Sequence, residues 1–407
     1  MADEETRPLV DKHRLDSQYT NVSCNESIKR EVNEHNVSEC DVTVSDAPEL
    51  RAGHAVYFPV MLLLTIAVGI GYFTTHQWVQ VYVKYVMGLN DSAGSQSGCN
   101  ASHDSPEYRN FHEVERRTAQ WTMYMSLASM IPSLFTSSII GSYSDSYGRK
   151  IVFVLFAVST TIRLTICTVV IHYKFSMWFV VGAIALDGLT GSTYTCSSVS
   201  MAYLADITSA GTRRTLAITI NDGFHLLCVT LSFLTAGVII KHYQYTIPML
   251  ACSGMAALAL VITLCFLPET HEDHHRIEPR SPCRTYKRIF EIFTSSEFRQ
   301  MKVAYILLFL GYFFQELAGV QRTSIEIVYQ LGQPFCWSPD RISVFSAARH
   351  ATQGLAGVVF VVPLRRCLSE TYIAAMSALF NTGSYILEAL AESDIILYLG
   401  ELRYNNI

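Results

Sequence analysis

Asp187, Asp222 and His225 stand inside long apolar stretches of this chain. A charged side chain at the centre of a bilayer costs about 2.5–3.5 kcal/mol on insertion scales, so such groups face a cavity or a partner. Asp222 and His225 are three residues apart and share one helix face. Burial works against the charged form of each, so the pair can exchange one proton as a cavity alternates between wet and dry. The plainer alternative is a structural hydrogen bond to a neighbouring helix. Further along, Glu316, Arg322 and Glu326 fall in one apolar stretch. Glu316 and Arg322 are six apart and do not share a face. Arg322 and Glu326 are four apart, so an internal ion pair is expected; otherwise the planar fork of Arg322 could hold an anionic substrate. Arg163, Arg349 and His350 are further cavity candidates, and the last two, being adjacent, must point in different directions.

The elements that must position these groups are membrane spans. Half of the 407 residues are hydrophobic, only 16% are charged, and mean hydropathy is +0.24. Soluble domains average roughly 25% charged residues, so an all-α polytopic membrane protein is expected. Apolar runs of about 20 residues lie near 57–78, 118–140, 151–171, 177–203, 216–240, 247–267, 303–330, 342–363 and 372–391, and a tenth begins at Ile395. Residues 1–55 read as a disordered polar tail, 56–267 as a six-helix bundle, 268–300 as a central loop and 301–407 as a partial second bundle. The net charge of −5 argues against nucleic acid as a partner. The eleven cysteines show no metal-ligand spacing, and neither cofactor nor enzyme chemistry is expected. A channel would need a filter-like loop or a charged ring, and the sequence offers neither.

Arginine and lysine set the orientation. Arg149 and Lys150, Arg213 and Arg214, a cluster from Arg276 to Lys302, and Arg365 with Arg366 follow spans two, four, six and eight. Those loops and the N-terminus are therefore expected in the cytoplasm. Residues 84–117 become a large outer loop, in which Asn90 and Asn100 each open a glycosylation sequon. Acidic residues before Leu9 look like a sorting signal for endosomes and lysosomes, leaving plasma membrane or lysosome open.

The loop after span two reads Gly141-x-x-x-Asp145-x-x-Gly148-Arg149-Lys150. It resembles the loop between helices two and three of major facilitator transporters, and implies their six-plus-six fold. Its glycines permit positive φ, and Asp145 can cap or face a helix N-terminus. Against that plan the chain stops within span ten. Two expectations follow: a transporter whose mechanism belongs to a longer parent, or a short product acting as a ligand-binding or regulatory membrane protein.

Further segments narrow the resemblance: Trp121-Thr-Met-Tyr-Met, Asp187-Gly-Leu-Thr-Gly, Ala202-Tyr-Leu-Ala-Asp206, Val328 to Trp337, and Ser346-Ala-Ala-Arg-His350. Together they are similar to the proton-coupled folate transporter family, solute carrier family 46. That resemblance implies proton-linked transport of a small, anionic organic solute such as a folate, muropeptide, cyclic dinucleotide or steroid conjugate. It also implies acidic roles for Asp187 and Asp222, and a bridge between Cys99 and Cys336. Span seven lacks the histidine of the folate-type member, which counts against folate.

Overall fold

The computed structural model describes residues 52–89, 106–209, 212–270, 302–320, 322–352, 370–391 and 393–398, with 287 and 368 singly. All regular elements among them are helical. A 3-10 turn, Ala52–Val56, leads into α1 (Tyr57–Val86), followed by α2 (Pro106–Tyr147), α3 (Lys150–Tyr173), α4 (Met177–Leu189), α5 (Ser192–Ile207), α6 (Thr212–Tyr243) and α7 (Thr246–Phe266). Then come α8 (Lys302–Val320), α9 (Arg322–Leu331), α10 over 339–352 and α11 (Glu370–Ala389).

Five described helical stretches are long and apolar enough to cross a membrane: His54–Val86, Pro106–Tyr147, Lys150–Tyr173, Ala217–Tyr243 and Thr246–Phe266. They match expected spans one, two, three, five and six. Two expectations need correction. Expected span four is not one helix: it breaks between α4 and α5, with Gly191 in the left-handed region at φ +83°. The large loop expected over 84–117 is partly helix, because α2 starts at Pro106 and runs for 42 residues. Arg116 and Arg117 both pair with Glu113 on that extension. The later part of expected span eight, and both sequon asparagines, lie outside the described residues.

α1 is the central helix of the first bundle and packs on α6, α7 and α2. At one end Tyr57, Phe153 and Tyr203 form a buried aromatic cluster, with the Tyr57 and Tyr203 rings stacked at 5.2 Å. At the other end a single core joins Phe73, Trp78 and Phe233 to Trp337, Ile342 and Phe345, so α10 is seated against α1 and α6.

A break inside a span frees backbone groups that hydrocarbon cannot satisfy, and it is tolerated only where protein covers it. Here α2 supplies the cover. Ser133 Oγ and Thr136 Oγ1 donate to the Gly188 carbonyl at 3.2 and 3.1 Å. That contact requires a bare α-carbon, since a Cβ on Gly188 would stand 2.6 Å from the Ser129 carbonyl oxygen. Gly188→Val should therefore force α2 and α4 apart and cost about 1–3 kcal/mol. Thermal unfolding in detergent would show a lowered midpoint; an unchanged midpoint would contradict this account of the packing.

Candidate functional site

Asp187 is the last acidic group before the break, and the break is built around it. Its carboxylate accepts hydrogen bonds from Ser159 Oγ at 2.8 Å and Ser192 Oγ at 3.2 Å. Ser192 opens α5, whose N-terminal dipole favours negative charge. Arg163 of α3 lies across the gap, Nε to Oδ2 at 3.3 Å. The sequence singled out both residues without showing that they meet.

A cavity of about 420 Å³ lies among α1, α5, α6 and α10. α1 contributes Leu64, Val68 and Tyr72, and α5 contributes Cys196 and Ser200. Asp222 and His225 of α6 both line it, as their three-residue spacing leads one to expect. His350 of α10 closes the far wall, its ring 5.2 Å from that of Phe233. One cavity therefore holds groups from the first bundle and from α10.

Arg349, next to His350, points away and forms a buried ion pair with Glu326 of α9. Gln330 Nε2 donates to the second oxygen of Glu326 at 3.0 Å. This partner comes from another helix, 23 residues away; the expected pairing with Arg322 lies outside the described side chains. Arg322 and Glu316 lie in helical segments whose side chains are outside the described set.

The glycine-rich loop forms a separate cluster. Arg149 bonds to Asp145, to Ser144 Oγ at 3.0 Å and, through Nε, to Asp206 Oδ2 at 3.1 Å. Asp145 is thus an ion-pair partner in the last turn of α2, not a cap. The cap of α3 is Glu269, which accepts from the Arg149 and Lys150 backbone N–H groups at 2.7 and 3.1 Å. The sequence signal available for this cap is a carboxylate standing just beyond the end of span six. Only Gly148 of the two motif glycines has positive φ, +108°, and a Cβ there would strike the Glu269 carboxylate. Gly141 is an ordinary helical residue. Arg214 bonds locally to the Thr208 carbonyl at 3.4 Å rather than joining the Arg149 cluster, and Arg213 lies in α6 with its side chain outside the described set.

At the opposite end Lys241 of α6 meets Asp340 of α10 at 3.2 Å, and Gln77 Nε2 approaches the Pro339 carbonyl at 3.5 Å. Trp337 Nε1 and Arg341 both bond to Asp394, at 2.9 and 2.6 Å. Cys336, in the same region, is disulfide-bonded, while Cys99 is outside the described residues.

The major facilitator superfamily model matches residues 108–380, so the chain belongs to that superfamily of membrane transporters. Among curated relatives, the proton-coupled folate transporter of Rattus norvegicus is 24% identical over 84% of this chain and 73% of its own length. The lysosomal proton-coupled steroid conjugate and bile acid symporter of Gallus gallus is 23% identical over 76% of this chain and 67% of its own length. Both bear out the expected resemblance to solute carrier family 46. Among solved structures, the human organic anion transporter MFSD10 superposes with a TM-score of 0.61 at 17% identity, covering 88% of this chain and 83% of its own. A D-xylose–proton symporter gives 0.53 at 14% identity, covering 86% and 79%. These two show the shared fold.

Removing one partner of a buried ion pair leaves an uncompensated charge, at about 3–5 kcal/mol. Arg349→Met should destabilise the protein by about that much, and adding Glu326→Leu should recover most of it. Equal unfolding midpoints for single and double variants would refute the pairing. The Asp340 link behaves differently with pH. A hydrogen bond from Ser338 holds the Asp340 carboxyl below the usual range, with Lys241 adding to the effect. A lowered carboxyl stabilises fully above its ordinary range and stops doing so only as pH falls through the lowered value. Asp340→Asn should therefore speed alkylation of a Ser343→Cys reporter by the same factor at about pH 5 and about pH 7.5. A much larger effect at the higher pH would show that the link titrates in that window.

Proposed function

We propose that this chain is a proton-coupled secondary transporter of a small organic anion, working by alternating access. The observation that carries the reading is the cavity of about 420 Å³ that places Asp222, His225 and His350 on a largely apolar wall between the first bundle and α10. Pockets for small organic ligands have about this size and this mix of apolar lining with a few polar groups. The names of the relatives, which specify proton-coupled carriage of folate or of steroid conjugates and bile acids, favour an anionic cargo and proton coupling.

In this reading Asp222 and His225 are the coupling pair. Protonation of Asp222 removes a negative charge from the cavity and so admits an anion; its release to the other side favours unloading. Asp187 holds the span-four break in shape rather than binding protons. Residues 56–267 and 301–407 form the two rocking units, joined through 268–300. The Arg149 end faces the cytoplasm, in keeping with its basic loops, and the Lys241 end faces the lysosomal lumen or cell exterior. Cys336 pairs there with Cys99, and Asn90 and Asn100 carry glycans. With α10 seated against α1 and α6, the described arrangement is closed at the Lys241 end.

Uptake of labelled folate, taurocholate and estrone sulfate into cells expressing this chain, at acidic and neutral pH, tests the proposal. Acid-stimulated flux of one of them is expected. Asp222→Asn should abolish the acid stimulation, whereas Asp340→Asn should leave the stimulation ratio unchanged. Surface-expressed protein that moves no organic anion at either pH would overturn it.

A further inference from the structure

A second, smaller cavity of about 170 Å³ opens among α1 to α5, on the other side of Tyr72. Its wall carries Arg163 and Asp187, with Ser126 and Ser129 of α2 opposite. Val68, Tyr72 and Thr193 border both cavities, so the two are neighbours.

Arg163 is under-used in this wall. Asp187 is already served by two hydroxyls and by the start of α5. Arg163 meets it through Nε alone, at 3.3 Å and without hydrogen-bond alignment. Among the described residues no hydrogen bond is formed to the Arg163 guanidinium. His76, on the same wall, directs Nδ1 to the Tyr72 carbonyl at 2.9 Å, so that nitrogen is engaged within its own helix. A guanidinium kept in place by a carboxylate, with its planar fork of donors uncommitted, suits an anion with two or three oxygens.

We infer that this chamber is the subsite for the anionic group of the transported solute, a carboxylate, sulfate or sulfonate. Arg163 holds the charge, Ser126 and Ser129 supply hydroxyls, and the apolar body of the solute lies in the larger cavity against Leu64, Phe156 and Phe233. The inference rests on the transporter reading above and adds where the charge of the cargo sits. It also implies a preferred shape: a compact anionic head on a rigid apolar body, bent around Tyr72.

The test is equilibrium binding to the purified full chain in detergent, with estrone 3-sulfate and the uncharged estrone 3-methyl ether as probes. The unaltered chain should prefer the sulfate by at least about tenfold, the range of a charge-assisted hydrogen bond. Arg163→Gln should remove that preference by weakening sulfate binding, while ether binding stays within about twofold. Arg163→Lys should keep part of it, and Asp340→Asn, which lies outside both cavities, should keep all of it. A sulfate preference that survives Arg163→Gln would overturn the subsite and leave the transporter reading standing. Failure of the unaltered chain to bind either probe would overturn both. If Arg163→Gln binds neither, the Ser126→Ala, Ser129→Ala double variant decides: a reduced preference supports the subsite, and an unchanged one overturns it.

Discussion

An interrupted helix inside a membrane protein has to find partners for its own backbone, and in this chain that requirement organises the first bundle. At the break the Gly188 carbonyl accepts from the Gly191 N–H at 2.9 Å, and two hydroxyls of α2 reach the same oxygen. Those hydroxyls reach it only because α2 and α4 approach at a glycine. The same break lets Asp187 see the first residue of α5, where the helix dipole and Ser192 favour its charge. Arg163 then balances the carboxylate from α3. Remove the break and Asp187 would lie mid-helix, away from the N-terminal end of α5 that now favours its charge.

The two ends of the molecule are closed by different forces. At the Arg149 end a web of charged and backbone groups ties α2, α3, α5 and the segment after α7 together, all within the first bundle. At the Lys241 end the contact runs between bundle and α10, and its substance is apolar: Trp337, Ile342 and Phe345 share a core with Phe73 and Phe233. The Lys241–Asp340 pair above it is about half exposed on both sides. Exposed pairs contribute about 0–1 kcal/mol, whereas each large side chain buried in the seam contributes about 1.5–3 kcal/mol. Opening that end is thus governed by apolar burial, and the ion pair serves to set register.

Hydropathy made most spans legible, because a run such as 247–267 leaves a helix little alternative in hydrocarbon. It missed the break in span four for the same reason: Asp187-Gly-Leu-Thr-Gly interrupts an apolar run too briefly to change its average. The loop motif was legible as a pattern, and the spacing of Asp145 and Arg149 fits their i,i+4 pair on the last turn of α2. Its cap was not, since Glu269 reaches α3 from 120 residues away. Local spacing likewise could not show that Arg349 reaches Glu326 from the next helix. Helical periodicity says which side chains share a face; it does not say which face of another helix lies opposite.

Those long-range pairings bear on where a proton can act. Both buried arginine–carboxylate pairs, Arg163 with Asp187 and Arg349 with Glu326, are neutral as units and tied into their surroundings by further hydrogen bonds. Changing the charge of either carboxylate would undo packing as well as electrostatics, which makes them poor groups to cycle. Asp222 and His225 stand differently: they line the cavity whose far wall is α10, where a rocking motion would alter their access to water. A coupling group must feel the conformational change without holding the fold together. On the proposed reading, the structural carboxylates are those locked to arginine, and the working one is the carboxylate left to the cavity.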